Sequence, residues 1–116
     1  MLYLLETKIS DKKPVLFALT QIYGINKTSA STICKKLGFS LNLKVKELTQ
    51  KQIQDLLIVI ESSNLLLNNE LKLFKSQTLK TLISIKSYRG LRRVRKLPVR
   101  GQRTHTNAKS AKKGRF

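Results

Sequence analysis

The strongest constraint on what this 116-residue chain can fold into lies at its C-terminal end. From Lys86 to Phe116 there are twelve cations (Lys86, Arg89, Arg92, Arg93, Arg95, Lys96, Arg100, Arg103, Lys109, Lys112, Lys113 and Arg115) and no acid. Before Lys86, twelve Lys face six acids, so the formal charge of +18 divides into +6 and +12. After Pro98 the only bulky apolar side chains are Val99 and Phe116. Such a segment buries too little surface to offset its ordering entropy, and alone it is expected to be disordered. Any core must come from the roughly 85 residues that precede it, enough for one modest domain and no more. Part of the stability is then expected to come from a bound partner.

The choice of cation narrows the partner. All seven Arg lie in the terminal stretch, and the rest of the chain uses only Lys. A guanidinium is a rigid planar fork that matches phosphate and the guanine edge and stacks on bases, whereas an ammonium is a point charge. Gathering every guanidinium in one place points to a polyanion, with nucleic acid the first candidate. Arg89, Arg92, Arg93 and Lys96 fall at i, i+3, i+4, i+7, so a short helix is expected to turn one cationic face outward, with Pro98 ending it. Gly101 and Gly114 keep the remainder pliable. Gln102, Thr104, Thr106 and Asn107 offer small donors for phosphate oxygens and 2′-hydroxyls. His105, the only histidine, has no serine, cysteine or carboxylate near it in sequence, so it suits stacking or hydrogen bonding to RNA better than catalysis. A plain solubilising tail or localisation signal would need only Lys.

Tyr88-Arg-Gly-Leu-Arg-Arg, then Leu97-Pro-Val-Arg-Gly-Gln-Arg-Thr104 and Thr106-Asn-Ala108, closely resembles the signature of the small-ribosomal-subunit protein S-thirteen family. Ile22-Tyr-Gly-Ile-Asn-Lys-Thr28 is similar to that family's inter-helix turn, which approaches ribosomal RNA with backbone amides and lysine. The resemblance spans essentially the whole chain, strongest from Tyr88 onward. It implies an all-α fold: a small helical bundle with a helix–two-turns–helix element, a short basic helix and an extended C-terminal tail. Residues 1–86 would form the RNA-binding body and 87–116 the basic helix and tail. The expected RNA contacts are Lys27, Thr28, Gln102, Thr104, His105, Thr106 and Asn107, together with the twelve terminal cations named above. By resemblance the partners would be small-subunit ribosomal RNA, transfer RNA reached by the tail, the head protein S-nineteen, and the large-subunit protein L-five or its equivalent. Three positions depart from the family pattern: Asn26 stands where glycine is common, Val94 replaces a cation, and Lys96 replaces a glycine. The tail also ends early, at Phe116.

The remaining composition excludes several classes. With Cys34 alone, no intrachain disulfide framework or cysteine-based metal site can be built, and no cofactor is expected. The longest apolar run, Leu56 to Ile60, is far short of a membrane span. Glu6, Lys8 and Asp11 interrupt the leading apolar residues, so neither a secretory signal nor an Arg-rich amphipathic transit peptide is expected. Heavy use of Leu, Ile, Lys and Asn suggests an AT-biased genome. Within the family, His105 in Arg-Thr-His-Thr-Asn resembles mitochondrial members, which places the protein in the mitochondrial matrix, with a bacterial cytoplasm or plastid as alternatives.

Along the chain, residues 1–9 read as an extended leader whose Leu2, Leu4 and Leu5 can pack on the body. Asp11 is expected to cap a first helix, with Pro14 in its opening turn and Val15, Leu19 and Ile22 as its apolar stripe. Gly24 suits a left-handed stop, and Asn26 a cap for a second helix carrying Ala30, Ile33, Cys34 and Leu37, closed by Gly38. Thr49 and Gln52 form a capping box with Leu48 and Ile53 as a hydrophobic staple, opening a third helix that breaks at Ser62-Ser63-Asn64. Asn68 or Asn69 caps a fourth, with Leu71, Phe74, Leu79, Leu82 and Ile83 on its buried side. Cys34 is expected to be a small buried hydrophobe, and Tyr88 to anchor the basic helix on the body.

The six carboxylates are scattered and form no pair suited to acid–base chemistry or metal binding. A structural RNA-binding protein is therefore favoured. A DNA repair glycosylase, which also uses a helix–two-turns–helix element, would need an N-terminal proline nucleophile and a zinc finger that this chain lacks. A nucleoid-coating protein should bind duplex DNA as well as structured RNA. A membrane-active basic peptide would need an apolar face that the tail does not have.

Overall fold

The computed structural model describes residues 2–106 and 108–114, which divide into two compact units within residues 1–71 and 72–116. The first unit opens with a hairpin in which β1 (Leu2–Leu4) pairs antiparallel with β2 (Thr7–Ile9), Leu2 opposite Ile9 and Leu4 opposite Thr7. The expected leader is extended, but it folds back on itself. The period-two alternation explains why: Leu4 and Ile9 are buried on one face, while Tyr3 and Lys8 are exposed on the other. Its two-residue turn places Leu5 and Glu6 at φ 46° and 61°, a conformation that usually calls for Asn-Gly. Tertiary bonds hold it in place of propensity. Asn68 Nδ2 donates to the Leu5 carbonyl (2.6 Å), and Asn69 Nδ2 to the Glu6 carboxylate (3.3 Å).

The first helix, α1 (Val15–Leu19), starts later than expected, with Pro14 rather than Asp11 at its cap. Asp11 is used elsewhere: its carboxylate accepts the Leu2 N–H at 3.0 Å, tying the hairpin to the body. Pro14 makes an isolated bridge with Lys44, and the Val15 N–H donates to the Leu43 carbonyl, so this stretch runs beside the chain leading into a short 3-10 turn at Val45–Glu47.

The second helix, α2 (Lys27–Leu37), is capped by Asn26 and closed by Gly38 at φ 68° in a left-handed cap, as the sequence indicates. The link between α1 and α2 passes Gly24 at φ 110°, where an added Cβ would lie 2.7 Å from the Leu66 carbonyl oxygen. Both the backbone angle and the close approach require glycine there. α3 (Gln50–Ser62) has the expected capping box: the Thr49 hydroxyl accepts the Gln52 N–H, and the Gln52 side chain accepts the Thr49 N–H at 2.9 Å. Around one core pack Leu4, Ile9, Val15, Leu19, Ile22, Ala30, Ile33, Leu56 and Ile60, with Cys34 buried among them. Burial pushes the Cys34 thiol pKa up.

α4 (Asn68–Ser84) runs across the division between the units and carries no buried residue. Phe74, assigned from sequence to its buried side, is 53% exposed, and Leu71, Leu79, Leu82 and Ile83 are only half-buried. Its apolar positions, which also include Leu73 and Ile85, are spread over more than one stripe and give no single inward face. The second unit continues with α5 (Tyr88–Val94) and ends with α6 (Lys109–Lys112), a short turn of helix not anticipated from sequence. Among the described residues no helix is long and apolar enough to cross a membrane.

Candidate nucleic-acid interface

The basic helix α5 has seven residues, too few to be stable alone. It is held against the end of α4. The Ser87 hydroxyl donates to the Leu82 carbonyl at 2.9 Å and accepts the Gly90 N–H at 3.1 Å, so one side chain caps α5 and binds it to the preceding turn. Gly90 is buried, and a Cβ there would lie 2.5 Å from the Leu82 carbonyl oxygen. Only a residue without a side chain lets the two helices approach this closely.

Both helices end the same way. After α4, the Lys86 N–H donates to the Ile83 carbonyl and the Ser87 N–H to the Leu82 carbonyl. After α5, the Lys96 N–H donates to the Arg93 carbonyl and the Leu97 N–H to the Arg92 carbonyl. This is the Schellman arrangement, which needs a left-handed residue at its centre. Here Lys86 and Lys96 occupy that position, both at φ 55°. The expected stop at Pro98 is therefore preempted. α5 ends at Val94, and Lys96 lies beyond the helix instead of extending its cationic stripe to i+7.

Arg92 is held by two contacts. Its guanidinium lies 5.6 Å from the Tyr88 ring centroid, one helical turn away, and its Nε donates to the Pro98 carbonyl at 3.2 Å. The remaining guanidinium N–H groups stay available in a fixed plane, the arrangement that suits bidentate phosphate contact. Tyr88 is 70% exposed, so it does not anchor the helix by burial; it serves as a platform for Arg92. The i, i+4 spacing of an aromatic and an arginine was the sequence signal for this pair. Arg93 is half-buried, while Lys86, Arg89, Arg95, Lys96 and Arg100 are exposed.

Beyond Pro98 the described residues have no regular structure until α6, yet they are not simply extended, since Pro98 and Ala108 are buried. They line a small pocket of about 320 Å³ with Gln102, Arg103, Thr106, Ser110 and Ala111. The sequence marks Pro98 only as a helix stop, and it gives no signal for Ser110 or Ala111 at this pocket. Gln102, Arg103, Thr104, His105, Thr106, Lys109, Lys112 and Lys113 are all exposed, and Asn107 and Arg115 lie outside the described residues. Lys27 and Thr28 belong to the first unit, exposed at the start of α2. There the Lys27 N–H is already engaged by the Asn26 side chain at 2.7 Å, which removes one of the amides the resemblance would present to RNA.

The chain matches the family model described as "Ribosomal protein S13/S18" over residues 3–110. It belongs to that family. A Marchantia polymorpha protein named "Small ribosomal subunit protein uS13m" is 46% identical over 116 residues, covering 100% of this chain and 96% of the relative. Proteins of the same name from Schizosaccharomyces pombe and Daucus carota are each 42% identical over 113 residues, covering 97% of this chain and 74% and 97% of those relatives. The family resemblance and the mitochondrial assignment drawn from the sequence both stand. Membership also makes the role structural and non-enzymatic.

Proposed function

We propose that this protein is a structural constituent of the small subunit of the mitochondrial ribosome and binds ribosomal RNA chiefly through α5 and the residues after it. The observation that carries this is the fixed guanidinium of Arg92, stacked on Tyr88 and tied to the Pro98 carbonyl within a segment of twelve cations and no acid. Phosphates of a folded RNA are met by Arg89, Arg92, Arg93, Arg95 and Arg100, with Lys86 and Lys96 at the two helix ends. Gln102, Arg103 and Thr106 around the tail pocket can take a ribose or a base edge. Thr104, His105, Asn107, Lys109, Lys112, Lys113 and Arg115 extend this surface, and Lys27 and Thr28 add a smaller contact from the body. In this scheme residues 1–86 dock by shape and residues 87–116 tether and gain order on binding. Transfer RNA within reach of the tail, the head protein S-nineteen and the large-subunit protein L-five or its equivalent complete the proposed partners.

The salt dependence of binding to structured small-subunit RNA tests this. If about six phosphates are neutralised, log affinity falls against log salt with a slope of roughly −4 to −5. Removing residues 87–116 should flatten that slope substantially. An unchanged slope in the truncated protein would refute the tail as the electrostatic anchor.

A further inference from the structure

The first unit holds a groove whose chemistry is opposite to that of the rest of the chain. It has a volume of about 560 Å³ and lies between the hairpin turn at Leu5 and Glu6, the end of α3, and the segment Asn64 to Glu70. Its apolar lining includes Ile60 and the run Leu65 to Leu67, with Leu66 itself 44% exposed. Its rim carries Glu6, Glu61 and Glu70, all exposed. These are three of the six acids in a protein with 24 cations, and no Lys or Arg lines the groove. Such a surface repels phosphate, so RNA is the wrong occupant.

The backbone here is also held in unfavourable conformations. Leu5, Glu6, Asn64 and Asn68 have φ between 44° and 61°, and the other two non-glycine residues at positive φ among those described are Lys86 and Lys96. Asn adopts this region readily, whereas at Leu5 and Glu6 it is a strained conformation that usually goes to glycine. The Asn68 N–H donates to the Tyr23 carbonyl at 2.9 Å and its side chain to the Leu5 carbonyl, so the groove is built by specific bonds.

We infer that this groove docks a short cationic, amphipathic segment of another protein, its apolar side chains over Leu65–Leu67 and its Lys or Arg against Glu61, Glu70 and Glu6. The charge complementarity is local and works against the net charge of the chain, so it selects a peptide-sized basic element instead of a nucleic acid. The inference is independent of RNA binding by the tail, because the two sites share no residue.

The test is an amide-resolved NMR titration of the full-length chain at physiological salt. The probes are a short peptide alternating Leu and Lys, its counterpart with Glu in place of Lys, and a single-stranded poly-uridine oligonucleotide. The Leu/Lys peptide should shift the amides of Leu5, Glu6 and Leu65–Glu70. Its dissociation constant should rise about fivefold in the Glu61→Gln/Glu70→Gln variant, the effect of removing two exposed charge pairs. Leu66→Ser, which leaves every rim charge in place, should weaken binding through the apolar floor alone. Absence of these shifts, or equal movement of the groove amides by the Leu/Glu peptide or by poly-uridine, would overturn the assignment. Shifts of the tail amides by poly-uridine report on RNA binding separately, so the two proposals fail independently.

Discussion

Replacing Gly90 with alanine sets two effects of opposite sign against each other. Alanine is better than glycine in a helix by about 0.8–1 kcal/mol, so in an undocked α5 the change would stabilise. In the docked helix the new Cβ would stand 2.5 Å from the Leu82 oxygen, 2.7 Å from the Leu82 carbonyl carbon and 2.9 Å from the Ile83 nitrogen. All three are backbone atoms of α4 and cannot rotate away. Restoring a van der Waals separation of about 3.5 Å requires α5 to withdraw by roughly 1 Å. That movement strains the Ser87 hydroxyl bond to Leu82, now 2.9 Å. Overpacking costs about 1–3 kcal/mol and a weakened hydrogen bond about 1 kcal/mol more, so the net expectation is destabilisation of α5 by about 1–2 kcal/mol. Hydrogen exchange at the amides of Leu91, Val94 and Arg95 reads this directly, and their protection should fall about 5–30-fold while that of α3 is unchanged. If protection in α5 instead rises about fivefold, as propensity alone dictates, the close docking of the two helices is refuted.

Lys96→Gly removes left-handed strain and one cation together. It should stabilise the end of α5 by about 0.5–1 kcal/mol in exchange experiments, yet lower the magnitude of the RNA salt slope by about 0.7–0.9 if Lys96 meets a phosphate. Thr49→Ala deletes the α3 capping box and should cost about 1 kcal/mol in urea unfolding of the full chain. The buried Cys34 thiol is raised, so the unfolded chain ionises first: this contribution to stability is complete below the unfolded thiol pKa of about 8.5 and is lost as pH rises above it. Comparison with Cys34→Ala above that pH should show a steeper loss for the native chain, and a thiol reagent should react slowly until denaturant is added. Tyr88→Leu keeps helical apolar character but removes the ring under Arg92, and should weaken RNA binding about three- to fivefold through the lost cation–π contact.

What could be read from sequence follows what is local. The capping box at Thr49, the cap at Asn26 and the stop at Gly38 each depend on residues within a few positions, and all three stand where the pattern places them. The hairpin is not legible locally, because its turn residues, Leu5 and Glu6, have no turn propensity and are held by Asn68 and Asn69, more than sixty positions away. Asp11 was misplaced for the same reason, since a good helix cap is equally a good acceptor for the N–H of Leu2. Pro98 can stop a helix, but the Schellman closure at Lys96 acts first, with a lysine in the left-handed position that glycine usually takes. In the interface, the cations were legible from charge alone. The ordering of Arg92 by Tyr88 and Pro98, and the pocket formed around Ala108, depend on how the chain folds back after α5.

The distribution of strain and charge ties these features together. The six non-glycine residues at positive φ among those described fall in two groups: Leu5, Glu6, Asn64 and Asn68 around the acid-rimmed groove, and Lys86 and Lys96 flanking the basic helix. Asn64 and Asn68 adopt this conformation readily, but at Leu5, Glu6, Lys86 and Lys96 it costs on the order of 1 kcal/mol, which a core as modest as this one tolerates only where something is gained. At Lys86 and Lys96 the gain is a cation at each end of α5, where glycine would close the helix more comfortably but carry no charge. At the groove it is a carboxylate and an apolar floor brought together from segments far apart in sequence. Each site therefore gives up local comfort for charge of one sign: positive beside a helix suited to phosphate, negative above leucines suited to a basic peptide. A protein that served only to neutralise RNA would have no use for the second.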